Sequence, residues 1–203
     1  MHKNQLRPDL KHLAKLVKKE SRVLEIGCGD GDLLYYLTHE KNIDGRGIEI
    51  SQSGVSTCVK RGLSVIQGDA DVDLKFYPQE CFDFAISSQV IQATRNPKDV
   101  LQEMMRVSKS AVIAIPNFGY WFNRVYLGLN GRMPVSSTLS YQWYETPNIH
   151  FSTAKDFEAL CAQLGYKITK SVYLQASGKP LKNPIARLMP NLFAEKAIFV
   201  LEK

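Results

Sequence analysis

Val23-Leu24-Glu25-Ile26-Gly27-Cys28-Gly29-Asp30-Gly31 constrains this chain more than any other stretch. An apolar run that reads as a buried strand ends beside an acid. Three glycines follow at alternate positions, and Asp32 opens a leucine-rich helical pattern at Leu33, Leu34 and Leu37. The expected local structure is a strand, a tight turn and a helix start. Glycine suits such a turn because it accepts unusual dihedrals and lets a ligand approach the backbone closely. A dinucleotide fold has the same outline, so the ligand has to be read from finer detail.

Three details favour S-adenosylmethionine over NAD. The spacing is G-x-G-x-G, whereas a pyrophosphate-binding turn has G-x-G-x-x-G. Asp30 and Asp32 put negative charge where a pyrophosphate needs donors and a positive helix end. Glu25, at the strand end, suits a ligand carrying an ammonium and a sulfonium. A second acid, Glu49, closes Gly45-Arg46-Gly47-Ile48-Glu49, which reads as the second strand, and a carboxylate there can accept both ribose hydroxyls. The bland alternative is a glycine-rich turn with solvated acids, and the paired position of Glu49 argues against it.

At 203 residues the chain fits one domain, able to bury about 70% of its unfolded surface. The 44% hydrophobic and 23% charged content is that of a globular protein. The net charge of +6 is spread without a long basic block, which disfavours nucleic acid as a partner. No apolar stretch is long enough to span a membrane. Met1-His2-Lys3-Asn4-Gln5 leads into no signal-peptide core, so a cytoplasmic location is expected. Cys28, Cys58, Cys81 and Cys161 stand singly. With His2, His12, His39 and His150 they show no metal-ligand spacing, so reduced thiols and no metal site are expected.

Strands alternate with helices along most of the sequence. Leu6, Leu10, Leu13, Leu16 and Val17 make one stripe of a first helix. Strands are expected at about 22–26, 45–50, 63–66, 81–87 and 111–115. Ser51 is expected to cap a helix with Val55, Cys58 and Val59 inward, and Asn96 to cap one that begins at Pro97. Thr153 and Asp156 form a capping box, and Lys167–Leu174 and Ala197–Leu201 read as a closing antiparallel pair at the sheet edge. The fold class is therefore α/β, with a doubly wound, mostly parallel seven-stranded sheet and an antiparallel strand at one edge. Ligands bind such sheets at the carboxyl ends of the strands. That rule gathers Glu25, Gly27, Cys28, Gly29, Gly31, Glu49, Ile50, Asp69, Ala70, Ser87 and Gln89 as the candidate cofactor-binding set. Asp69 is placed to accept the adenine amino hydrogen and the Ala70 backbone to donate to a ring nitrogen. Gly68–Asp71 as a plain polar turn is the alternative.

The regular pattern breaks over about 117–150, which holds Phe118, Tyr120, Trp121, Phe122, Tyr126, Tyr141, Trp143 and Tyr144. So much aromatic area outside a βα unit must cover the crevice, bury against the sheet or meet a partner. The expected organisation is one domain, 1–203, with this aromatic-rich insertion.

These residues resemble the class I S-adenosylmethionine-dependent methyltransferase superfamily over nearly the whole chain. Within it the chain resembles the MetW family of methionine-biosynthesis proteins. The resemblance rests on the glycine motif and on Ser88-Gln89-Val90-Ile91-Gln92-Ala93, Pro116-Asn117-Phe118-Gly119 and Gly131-Arg132-Met133-Pro134. Tyr141-Gln142-Trp143-Tyr144-Glu145-Thr146-Pro147-Asn148-Ile149-His150 is the most particular stretch. Val90-Ile91 stands where the family often has Thr-Leu, and Glu25 where Asp is commoner. The resemblance implies a methyltransferase-like Rossmann fold that binds S-adenosylmethionine or S-adenosylhomocysteine. It also implies a role in methionine biosynthesis beside a homoserine O-acyltransferase of the MetX type.

Two functions remain open on the sequence. A free-standing methyltransferase of a small acceptor would need an acceptor-activating group near the methyl. Ser88-Gln89 follows the fourth strand without the Asn/Asp-Pro-Pro-Tyr run of base and amide methylases, which disfavours such nitrogens as acceptors. Tyr141, Tyr144 and His150 are the candidate acid/base groups. A companion subunit would instead use aromatic and arginine anchors, for which Trp121, Arg124, Arg132, Trp143 and Tyr144 are the candidates.

Overall fold

The computed structural model describes residues 6–136, 139–147 and 149–203. The Met1–Gln5 segment, with His2, and Asn148 of the Tyr141–His150 stretch lie outside the described residues. Seven strands form one sheet in the order β3-β2-β1-β4-β5-β7-β6. They are β1 (Arg22–Ile26), β2 (Asp44–Glu49), β3 (Ser64–Gln67), β4 (Phe82–Ser88), β5 (Ser108–Pro116), β6 (Lys167–Leu174) and β7 (Lys196–Glu202). β1 to β5 pair in parallel, and β7 runs antiparallel to both of its neighbours, so the reversed strand sits one place in from the edge. The central strands carry near-continuous apolar runs because helices cover both faces.

The first three helices are α1 (Pro8–Leu16), α2 (Asp32–Lys41) and α3 (Gln52–Lys60). Leu10, Leu13, Leu33, Leu34, Leu37 and Cys58 from them meet Val23, Ile86, Val112 and Ile198 on one face of the sheet. The helices α4 (Ala70–Asp73), α5 (Pro97–Val107) and α7 (Ala154–Gln163) accompany the other face. There Leu101, Met104, Phe157 and Cys161 meet Leu24, Ile26, Ile113 and Phe199. The period-two alternation of β1 thus sends Leu24 and Ile26 toward α5. Val23 faces α1 and α2, and Glu25 shares its side of the strand. Short helices α8 (Pro184–Leu188) and α9 (Pro190–Phe193) interrupt the connection from β6 to β7.

Ser51 caps α3 through Gly54 N, and Thr153 and Asp156 make the expected capping box on α7. Two local expectations are corrected. Val59 is exposed, because α3 turns only Gly54, Val55 and Cys58 inward. Asn96 makes no side-chain cap on α5. Instead Asp71 accepts the backbone N–H groups of Arg95 (2.9 Å) and Asn96 (2.8 Å), so the cap comes from a residue distant in sequence. The segment after β5 also contains a helix with no counterpart in the sequence pattern, α6 (Trp121–Asn130). Among the described residues no helix is long and apolar enough to cross a membrane.

Candidate functional site

The glycine turn lies where β1 ends, beside the ends of β2 and β4. Its shape is imposed by its neighbours. Gly27 N and Cys28 N both donate to Ile48 O (2.8 and 3.3 Å), and Gly31 N closes the turn on Cys28 O (2.9 Å). Arg61 from behind α3 donates to Asp30 O and to the Asp32 carboxylate. At Gly27, φ is +65° and an added Cβ would come within 2.5 Å of Val90 Cγ2. Gly31, at φ +77°, starts α2, and a Cβ there would meet Leu63 and Cys58. Both positions therefore need glycine for conformation and for space.

Two cavities flank this turn and share Gly27 as a wall. The larger, about 400 Å³, runs between Ile26, Ile48 and Ile50 on one side and Val90, Ala93, Thr94 and Arg95 on the other. Its far end is made by Gly68, Asp69, Ala70 and Asp71. The smaller, about 230 Å³, is bordered by Glu25, Gly27, Cys28, Gly29 and Asp30, with Ser88 beyond and Arg7 and Leu10 of the N-terminal segment above. The first lobe is apolar with acids at its end, and the second is rich in carboxylates.

Glu25 is only 3% exposed, and among the described residues its Oε2 has no hydrogen-bond partner. Burial pushes its carboxyl up to about 8. A bond from the Leu34 backbone opposes that shift, and the negative charges of Asp32 and Glu49 add to it. An orphaned buried carboxyl oxygen at a cavity wall costs free energy unless a donor reaches it. Glu49 is also buried, but its carboxylate is engaged. Oε2 accepts from Gly29 N at 2.8 Å and Oε1 from Ser51 N at 2.9 Å. Each oxygen retains a further lone pair. Burial likewise pushes the Cys28 thiol far up, with the Glu25 charge adding to the effect, which makes it an inert wall.

The remaining candidate residues divide. Asp69 and Ala70 stand in the larger cavity with Ile50. Asp69 caps α4 through Asp71 N and holds the Arg95 guanidinium on its Oδ2. Ser87 is fully buried within β4. Gln89, at φ +60°, turns its amide away to Asp9 Oδ2 (3.3 Å). That carboxylate is held by Lys196 at 3.0 Å. Burial alone would raise the Asp9 value, but Lys196, Arg7 and the Leu10 N–H outweigh burial and hold it low. Gln89 therefore ties α1 to the end of β4.

Sequence reasoning did not select Arg7, Asp71, Val90, Ala93, Thr94 or Arg95 as site residues. The signal available for most of these was the stretch from Ser88 to Arg95 directly after β4, because parallel sheets place such loops over the crevice. Among the described residues, no group of three or more His, Cys, Asp or Glu side chains is placed to hold a metal.

The strand order and the two-lobed crevice define the class I methyltransferase fold, and solved structures agree. A SAM-dependent methyltransferase from Archaeoglobus fulgidus superposes with a TM-score of 0.69 at 18% identity, covering 96% of this chain and 91% of that one. An S-adenosylmethionine-dependent methyltransferase from Mesorhizobium loti gives 0.71 at 14% identity, covering 98% and 99%. The sequence matches the family model "Methionine biosynthesis protein MetW" over residues 7–201, and the chain belongs to that family. A bifunctional methionine biosynthesis protein MetXA/MetW of Rhodopirellula baltica is 29% identical over 98% of this chain and 33% of its own length. Ajmaline N-methyltransferase of Rauvolfia serpentina is 28% identical over 48% of this chain and 36% of its own length. The matched regions thus span about a third of the length of each of these two curated relatives.

Proposed function

We propose that this chain is a single methyltransferase-like domain that binds S-adenosylmethionine or S-adenosylhomocysteine and serves methionine biosynthesis as the companion of a homoserine O-acyltransferase. In this reading the nucleoside lies in the larger lobe between the isoleucines and the loop at Val90–Arg95. Its base reaches Asp69 and Ala70, and its ribose hydroxyls reach Glu49. The ammonium of the amino-acid end enters the smaller lobe and supplies the missing donor to Glu25 Oε2. That orphaned oxygen is the observation that carries the cofactor assignment, since a pyrophosphate would bring only more negative charge to it.

When bound, S-adenosylmethionine supplies an electrophilic methyl group. Three of the polar side chains that could help an acceptor are already committed. Gln89 is bonded to Asp9. Asn117 spends its amide on Asn191 O and Ala194 O and its carbonyl on Gly119 N and Ala154 N. The His150 ring meets Arg95 O. This supports a binding role over a catalytic one. The fusion of MetXA and MetW names in one Rhodopirellula baltica chain supports the acyltransferase as partner. The exposed aromatic segment, with Trp121, Arg124, Arg132, Trp143 and Tyr144 as anchors, supplies a surface for it.

The test is co-expression with the acyltransferase, purification, and a homoserine acylation assay of each component and of the mixture. The companion reading requires co-purification and faster acylation by the mixture than by the acyltransferase alone. Acylation indifferent to this chain returns the reading to a free-standing methyltransferase of a small acceptor.

A further inference from the structure

One short loop separates the larger lobe of the crevice from the exposed aromatic segment, and it is bonded to both. On the crevice side Val90 packs against Gly27, and Ala93, Thr94 and Arg95 line the cavity. The Arg95 side chain reaches across to α4, where its Nη2 meets Asp69 Oδ2 and its Nε lies 3.7 Å from Asp71 Oδ2. On the other side Gln92 O accepts the backbone N–H groups of both Ile149 (3.1 Å) and His150 (3.0 Å). The His150 ring lies 3.4 Å from Arg95 O. These bonds hold the end of the segment that carries Tyr141, Trp143 and Tyr144. No closer covalent or hydrogen-bonded route is needed to join the two regions.

The Arg95 guanidinium occupies one oxygen of the Asp69 carboxylate, the group that the nucleoside reading gives to the adenine amino hydrogen. We propose that the Val90–Arg95 loop reports nucleoside occupancy to the aromatic segment. The adenine amino group takes Asp69 from Arg95, the released guanidinium settles over the base, and the loop closes down with Ile149 and His150 attached. This rests on the nucleoside reading of the crevice given above. The Arg95 side chain is more than half exposed, so its bond to Asp69 is weak enough to exchange. A guanidinium stacks on an aromatic plane as readily as it pairs with an acid. The two arrangements of Arg95 supply the differential contact that any ligand-driven shift requires.

The experiment is amide hydrogen exchange at Ile149 and His150 in the full chain, with and without saturating S-adenosylhomocysteine, with calorimetry in parallel. In the unaltered chain, exchange at both amides slows at least about fivefold on binding. Arg95→Ala removes part of the cavity wall and binds the ligand more weakly, yet when saturated it loses the protection change. Arg95→Lys keeps a charge for Asp69 but offers no planar group to the base, and it behaves like Arg95→Ala. Unchanged exchange in the unaltered chain at saturation overturns the proposal. So does a normal protection change in Arg95→Ala, or rescue by Arg95→Lys, which would make Arg95 a structural charge. Loss of binding in Arg95→Ala also overturns it, by making the residue a wall of the site only. Absence of any heat of binding in the unaltered chain is a different failure, since it removes the nucleoside reading itself.

Discussion

The glycine-turn crevice and α6 each follow the carboxyl end of an interior parallel strand, β1 and β5, yet they are finished to different degrees. Around the turn most apolar side chains are buried, Ile50 excepted, and Gly27 N, Cys28 N, Gly29 N and Gly31 N all have acceptors. In α6 one residue is buried, and it is polar: Asn123, at 1% exposure. Trp121, Phe122, Val125 and Leu129 face solvent, Leu129 at 82%. Trp143 follows on the later part of the segment, at 71%. An apolar surface left open on a helix is evidence of something that covers it. The crevice leaves a buried carboxyl oxygen of Glu25 without a donor among the described residues, whereas the insertion leaves large apolar side chains exposed.

That contrast should break first at Gly27. Gly27→Ala forces a Cβ against Val90 at an unfavourable φ, so S-adenosylhomocysteine affinity should fall by about 100-fold or more. Acyltransferase capture through the insertion should survive in a pull-down. If capture is lost with the fold intact, the two regions are one site.

Glu25 sharpens the comparison through pH. Its folded value, about 8, lies above that of an unfolded carboxyl. The native state therefore holds an extra proton between the ordinary carboxylate range and about pH 8. Stability is greatest at the acid end of that window and declines as pH rises through it, by up to about 5 kcal/mol. Chemical denaturation from pH 5 to 8.5 should show the decline, and Glu25→Gln should flatten it. A profile of Glu25→Gln parallel to the original would deny Glu25 its buried, protonated state.

Glu49→Ala removes a carboxylate that holds Gly29 N and Ser51 N. It should cost on the order of 2–3 kcal/mol of nucleoside affinity. Calorimetry with unchanged affinity would take Glu49 out of the site. The smallest stability effects belong to the insertion. Trp143→Ala and Leu129→Ala should each leave unfolding free energy within about 0.5 kcal/mol, while acyltransferase affinity drops about tenfold or more. A large fall in melting temperature with unchanged affinity would make these side chains part of the fold.

The two regions also differ in how far the sequence disclosed them. The strands and the glycine turn were legible because their causes are local. A buried parallel strand is an apolar run, and a tight turn needs glycine where the side chains stand. Arg95 escaped notice because its meaning lies in Asp69 and Asp71, which are adjacent only after the sheet is assembled. Asp71 also bonds the backbone of Asn96, which holds the N-cap position of α5 but makes no side-chain cap. Helix α6 was hidden for the opposite reason. Periodicity detects a helix by an apolar face turned inward, and α6 turns its apolar residues outward around a buried asparagine. Asp9 and Gln89, 80 residues apart, show the same limit at the smaller lobe.

Titration calorimetry with S-adenosylhomocysteine at pH 7, in two buffers of different ionisation enthalpy, tests the crevice most directly. We expect one ligand per chain, a preference over NAD, and release of a proton as the ligand's ammonium ionises Glu25. Binding without proton release, or stronger binding of NAD, would contradict the assignment of Glu25 and of the crevice built around it.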